Sequence, residues 1–231
     1  MSTYNESYFL NSARRRYEIT DLLESELMSL RAGCRLIELG CGDMETLKAI
    51  SRMRPDLNLY GADIGELPPD TRHHGVEFIQ SDIKDLSLGL EFDFVLCVDV
   101  LEHLTSAQDL AKCMRRILAD SGRFYISVPS VTNLLLFGDE NFYSDYTHVR
   151  PFNDKSLGRL LHDNGLRAER IHPIHNKANG KLNALRNLYY LSRGFITSDS
   201  GYINAAIRSI GGTTVESVGR KSLDSARQLT T

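Results

Sequence analysis

The sequence predicts a doubly wound α/β fold with a mostly parallel sheet and helices on both of its faces. Three observations carry that expectation. Short, near-continuous apolar runs recur along the first 100 residues, each ending at or just before an acid, as strands buried on both sides do. Segments with apolar residues at helical spacing alternate with those runs, and strict alternation is the grammar of layered α/β domains. A glycine-rich turn, Gly40-Cys41-Gly42, joins the first run to the first helical segment.

The elements follow in order. Between Ala13 and Leu30, Tyr17, Leu22, Leu23, Leu27 and Leu30 fall on one helical face with charges between them, predicting a helical cap over about 1–32. Arg35–Leu39 is the first strand, and Leu47, Ile50 and Met53 mark a helix that Pro55 ends. Asn58–Ala62, Val76–Gln80 and Phe92–Val98 are the next strands. Thr105 or Ser106 caps the following helix, with Asp109 placed to return a capping bond. Its apolar face is Leu110, Met114, Ile117 and Leu118, and Ser121-Gly122 stops it. Phe124–Val128 is a fifth strand. Asn153 caps a helix carrying Leu157, Leu160 and Leu161 that Gly165 ends, and Leu166–Ile174 is a sixth strand. Helical segments fall at Lys181–Ser192 and near Ala205, within an added helical stretch of about 177–210. Thr213–Val218 is a last strand.

Size and charge set limits. With 231 residues, 42% of them hydrophobic, the chain has material for one well-buried domain, expected to span 1–231. A net charge of −3 with acids and bases interspersed gives no basic face for a phosphate backbone, so nucleic acid is not an expected partner. The arginine run 14–16 sits within the leading amphipathic segment and reads as a solvated face. No apolar stretch reaches bilayer length and the first ten residues are polar, which predicts a cytoplasmic chain without stable membrane insertion. The helix from Lys181 to Phe195 reads as a packing helix rather than a membrane contact. Cys34, Cys41, Cys97 and Cys113 lack metal-ligand spacing, and no metal site is expected.

Glu38-Leu39-Gly40-Cys41-Gly42-Asp43 carries the strongest chemical signal. Glycines at a strand-to-helix turn let backbone amides approach a nucleotide-like ligand. A dinucleotide fingerprint wants glycine at position 45, where Glu45 places an anion near the expected pyrophosphate. A ligand free of phosphate and positively charged suits Glu38 better. Asp63, Asp82 and Asp99 then continue a series of one acid at the end of each of four successive strands, on the edge where such sheets bind ligands.

On these residues the sequence resembles the class I S-adenosylmethionine-dependent methyltransferases, whose Rossmann-like sheet has seven strands with the last antiparallel. The resemblance covers about Tyr17 to Leu166. It implies that Glu38, Gly40, Cys41 and Gly42 hold the donor's methionine part, that Asp63 with Ile64 meets the ribose, and that Asp82 with Ile83 flanks the adenine. Phe92 to Leu104, FDFVLCVDVLEHL, looks like the family's fourth motif, placing Asp99 and Val100 beside the donor and His103 toward the acceptor. Met44 stands where the family has its last glycine, and a side chain is expected there at the mouth of the site. Asp139 to Pro151, DENFYSDYTHVRP, is similar to loops of bacterial methyltransferases acting on saccharides or other polyhydroxylated metabolites.

The expected activity is methyl transfer to an oxygen of a small hydroxylated acceptor. Positioning of donor and acceptor is worth about 7 to 11 kcal/mol, and a histidine base adds roughly 10²- to 10⁴-fold. His148 and His103 are the candidate bases, with Asp145 placed to orient His148; His162, His172 and His175 read as structural. Two other readings stay open: an NAD-dependent oxidoreductase, which shares the opening strand, loop and helix, and a non-catalytic binding protein with a degenerate site at Met44.

Overall fold

The computed structural model describes residues 19–67, 73–174 and 180–222, with the side chains of 180–185 outside that description. The expected leading-helix residues 13–17, the arginine run 14–16 and His175 lie outside the described residues, as does the start of the expected cap. Within them the chain runs α1 (Asp21–Ser29), β1 (Arg35–Leu39), α2 (Glu45–Met53), β2 (Asn58–Asp63), β3 (Val76–Gln80), β4 (Phe92–Val98) and α3 (Ala107–Ile117). It continues through β5 (Leu118–Pro129), α4 (Asp154–Asp163), β6 (Leu166–Ile174), α5 (Gly180–Thr197), α6 (Ser200–Gly211) and β7 (Thr214–Lys221).

The strands form one seven-stranded sheet in the order β3-β2-β1-β4-β5-β7-β6. β1 pairs in parallel with both β2 and β4, so chain order reverses between β1 and β4 and a crevice opens at their carboxyl ends. β7 alone runs antiparallel, inserted between β5 and β6.

Alternating side chains build two cores. On β1, Leu36 faces one side and Ile37 and Leu39 the other; on β4, Phe94 and Leu96 oppose Val95 and Cys97. One core takes Leu22, Leu23 and Leu27 of α1 with Leu47 and Ile50 of α2. The other takes Leu110, Met114 and Ile117 of α3 with Leu157 and Leu161 of α4. Each such side chain contributes about 1.5 to 3 kcal/mol on burial.

Two boundaries differ from expectation. α3 ends at Ile117, four residues before Ser121, because Leu118 already pairs with Phe92. The register then jumps to Arg123 opposite Phe94, so residues 119–122 form a bulge, and Gly122 packs where a Cβ would meet the Phe92 carbonyl at 2.8 Å. Ser106 is the N-cap of α3 but its side chain makes no capping bond; Thr105, Ser106 and Asp109 line the crevice instead. Asn153 caps α4 as expected, in a reciprocal box with Ser156. α5 extends past Ser192 to Thr197, and α6 fills the region around Ala205.

Candidate active site

A cavity of about 250 Å³ lies at the carboxyl ends of β1, β2 and β4. Glu38, Gly40, Cys41, Gly42, Asp63, Ile64, Asp82, Ile83, Asp99 and Val100 all line it. The turn after β1 explains how the backbone reaches its wall. Gly40 has φ +73°, and a Cβ there would stand 2.3 Å from Val100 Cγ2, so only glycine fits. Its N–H and that of Cys41 both donate to the Ala62 carbonyl, at 2.7 and 3.2 Å, locking the turn against β2.

Asp63 serves two purposes at once. Its carboxylate accepts from Gly42 N at 2.9 Å and from Gly65 N at 2.8 Å, which fixes the side chain at the crevice wall. Each carboxylate oxygen has a second lone pair for a ligand hydroxyl. Asp82 accepts from Lys84 N at 3.0 Å and also lines the crevice. Asp99 adopts φ +50°, a left-handed conformation uncommon outside glycine, with its N–H donating to Ser127 O at 3.1 Å.

Glu38 is 3% exposed, and its Oε2 has no hydrogen-bond partner among the described residues. Burial pushes its carboxyl up to about 8 against a bond from Thr46, with Asp43 and Asp63 raising it further. A buried acid with one oxygen unpartnered, beside two other acids, would be held ionised by a nearby positive charge. Burial and the same acids also push the Cys41 thiol far above its ordinary range, leaving it an unreactive wall.

Met44 does not stand at the mouth. It holds φ +64°, the conformation for which glycine is the usual residue, and its side chain is 1% exposed in the core with Leu23 and Leu47, away from the crevice lining. The backbone geometry of the glycine turn is therefore kept.

A second cavity, of about 750 Å³, adjoins the first, and Thr46, Val98 and Asp99 line both. Tyr125, Asn133, Asn141, Phe142, Asp145 and His148 contribute to its wall. His103, on the 3-10 turn Leu101–His103 after β4, lines the first cavity, and the rings of His103 and His148 stand 4.7 Å apart between the two. Asp145 reaches His148 only at 3.9 Å and does not orient it; the Phe142 carbonyl does, 2.7 Å from His148 Nδ1. Asp145 instead orients His103 through Thr147, whose hydroxyl donates to Asp145 Oδ1 at 2.5 Å and stands 2.8 Å from His103 Nδ1. Burial raises the Asp145 carboxyl, but the hydroxyl and amide of Thr147 outweigh it and hold it below the usual carboxylate range.

Thr147, Glu102 and Thr46 were not among the residues singled out by sequence. Thr147 lies inside DYTH and Glu102 inside VLEH, so both sat in marked segments, and Glu102 is the one acid in that segment that is fully buried.

A doubly wound sheet with an acid-lined, phosphate-averse crevice at its switch point defines an α/β transferase for a cationic nucleoside donor. The sequence matches the methyltransferase-domain family over residues 12–171, and the chain belongs to that family. It is 19% identical over 191 residues to the mitochondrial ubiquinone biosynthesis O-methyltransferase of Schizosaccharomyces pombe, covering 79% of this chain and 67% of that one. Among solved structures, an S-adenosylmethionine-dependent methyltransferase from Archaeoglobus fulgidus superposes with a TM-score of 0.63 at 20% identity, over 93% of this chain and 99% of that one. A Haloferax volcanii protein solved with the Trm112 methyltransferase activator gives 0.67 at 15% identity, over 94% and 95%. Phosphoethanolamine N-methyltransferase 2 of Haemonchus contortus, bound to S-adenosylmethionine, gives 0.61 at 14% identity over 87% of this chain and 51% of that one.

The protein is an S-adenosylmethionine-dependent methyltransferase, which removes the oxidoreductase and non-catalytic readings. The donor of this family carries its methyl group on a positively charged sulfur. No helix among the described residues is long and apolar enough to cross a membrane.

Proposed function

We propose that the chain methylates an oxygen of a small, polyhydroxylated acceptor of saccharide type, seated in the larger cavity while the donor lies in the smaller. The single observation behind this reading is the wall the two cavities share. Asp99 borders both, and beyond it Asn133, Asn141, Asp145 and His148 line the larger cavity, over the buried rings of Phe142 and Tyr125. Carboxylates and amides pair with vicinal hydroxyls, and rings cover the apolar face of a sugar. The O-methyltransferase from fission yeast supports oxygen as the atom methylated.

In this reading Gly40 and Gly42 shape the methionine end of the crevice, Asp63 and Ile64 take the ribose, and Asp82 and Ile83 flank the adenine. Asp99 and Val100 lie beside the methyl. The His103 and His148 pair stands at the acceptor hydroxyl and promotes the loss of its proton. Tyr125 is held by its own hydroxyl donating to Glu216 at 2.9 Å, which keeps one ring of the cavity fixed. All four cysteines are free, and three are buried, which supports a reducing compartment such as the cytoplasm.

The test is methyl uptake from labelled donor across a panel of sugars, nucleotide sugars, phenols and amines. Incorporation into sugar hydroxyls, reduced at least a hundredfold in His103→Gln, is the expected result. Incorporation into amines alone, with His103→Gln unimpaired, overturns the acceptor class and the role of the pair together.

A further inference from the structure

The two histidines between the cavities are more than a base and its neighbour. One donor atom each of Glu102, His103 and His148 lies within 4.8 Å of the others. All three side chains are at least nine-tenths buried: Glu102 at 0%, His148 at 7% and His103 at 8% exposure. The hydrogen bonds fix which nitrogen of each ring carries the proton. The Phe142 carbonyl can only accept, so His148 Nδ1 donates to it and His148 Nε2 is left as a lone pair. Thr147 spends its hydroxyl proton on Asp145, so it accepts from His103 Nδ1, and His103 Nε2 is a lone pair too. His148 Nε2 is buried with no hydrogen-bond partner among the described residues.

We propose that Glu102, His103 and His148 form a binding site for one divalent first-row transition-metal ion at the boundary between the donor crevice and the acceptor cavity. Two imidazole nitrogens and one carboxylate are the ligand set of such ions, whereas magnesium and calcium favour oxygen alone. The outer partners have the form that metal-binding histidines require. His148 is held by a backbone carbonyl, and His103 by a hydroxyl anchored on an ionised Asp145, so both rings present Nε2. In a tetrahedral site with bonds of about 2.0 to 2.2 Å, neighbouring ligand atoms stand about 3.3 to 3.6 Å apart. The three donors, now within 4.8 Å of one another, would draw in by up to about 1.5 Å on binding. His103 lines the donor crevice and His148 the acceptor cavity, while Glu102 is fully buried behind them and lines neither.

The site deepens the proposed O-methylation and supplies its chemistry. A hydroxyl oxygen on the ion becomes more acidic; its proton leaves to solvent, the O–H pair stays on oxygen, and that oxygen forms the new bond to the methyl carbon as the carbon–sulfur pair returns to sulfur. The ion, rather than a ring nitrogen, then meets the acceptor.

The experiment is titration of the chelator-treated full chain with Co²⁺ and Zn²⁺, without acceptor, read by calorimetry and by the visible bands of bound cobalt. One ion per chain at micromolar affinity or tighter is expected, with nitrogen-type cobalt bands. His148→Gln and Glu102→Gln should each weaken binding at least tenfold, and Thr147→Val about tenfold by releasing the His103 ring. Donor binding retained in each variant shows that the fold persists. No binding below about 100 μM, or equal affinity in the His148→Gln/Glu102→Gln double variant, overturns the site. Ion binding with no methylation of any sugar hydroxyl refutes the acceptor reading instead and leaves the ion site standing.

Discussion

At Glu38 stability and the proposed donor binding oppose each other. Its folded carboxyl titrates near 8 against an ordinary 4.5. The folded form therefore keeps a proton that the unfolded chain has lost across that window. Its contribution to stability is complete below 4.5 and is lost as pH rises toward 8, on the order of 1 kcal/mol per pH unit. A cationic donor reverses the preference, because a positive charge at hydrogen-bond range favours the ionised acid. Donor binding then releases a proton, and affinity climbs by up to about tenfold per pH unit until it levels near 8. Calorimetry between pH 6 and 8 is the check. Glu38→Gln should flatten that dependence, weaken donor binding, and melt several degrees higher than wild type at pH 8 in the absence of donor. Met44 makes the opposite trade. Its left-handed backbone costs about 1 to 2 kcal/mol, and its buried side chain returns more. Met44→Gly relieves the first and loses the second, for a net destabilisation of about 1 to 3 kcal/mol in urea unfolding. Donor affinity should stay within threefold, since the side chain is absent from the crevice wall. A gain in affinity above tenfold would mean that the methionine obstructs the donor after all.

Elements decide where those residues stand. The segment carrying Asp145, Thr147 and His148 is pinned at both ends. Val149 N donates to Glu102 O at 2.7 Å, and Val131 N donates to Phe152 O at 2.9 Å, tying the loop to the turns after β4 and β5. The Asn153 and Ser156 box then starts α4 immediately behind it. Asn153→Ala should cost about 1 kcal/mol, a Tm loss of about 2 to 4 °C, with donor affinity unchanged. A larger loss accompanied by weaker Co²⁺ binding would show that the cap also holds the histidine loop. At this scale much was legible in sequence, because apolar runs such as Leu36-Ile37 and Phe94 to Cys97 can only be strands covered on both sides. The acids ending those strands were legible for the same reason, since strand ends form the ligand edge. The end of α3 was not, because Leu118 continues the helical spacing of Leu110, Met114 and Ile117, and its pairing with Phe92 is a tertiary choice. Nor was the chain Asp145-Thr147-His103, since Thr147 meets His103 across 44 residues and periodicity carries no trace of such a contact.

The whole molecule assembles what no segment holds. The proposed donor crevice takes walls from β1, β2, β4 and the turns after β3 and β4, and the proposed acceptor cavity adds Thr20 before α1, the loop after β5, and Arg208 on α6. Insertion of β7 between β5 and β6 brings Thr214 beside Pro129 and closes that cavity's far side. Sequence order contains no signal for that insertion, which is why the strand residues were readable and the cavity was not. A site assembled from so many elements exists only in the folded chain, so donor binding must stabilise folding by mass action. At donor concentrations one hundred times the dissociation constant the gain is about 2.7 kcal/mol, or about 5 to 11 °C in Tm for a domain of this size. S-adenosylhomocysteine, lacking the positive sulfur, should raise Tm as well, but with a weaker pH dependence than the charged donor. NAD should produce no shift, because Glu45 stands where its pyrophosphate would lie. A thermal shift from NAD equal to that from S-adenosylmethionine would show that the crevice reads the nucleoside alone and that the acids at the strand ends do not select charge.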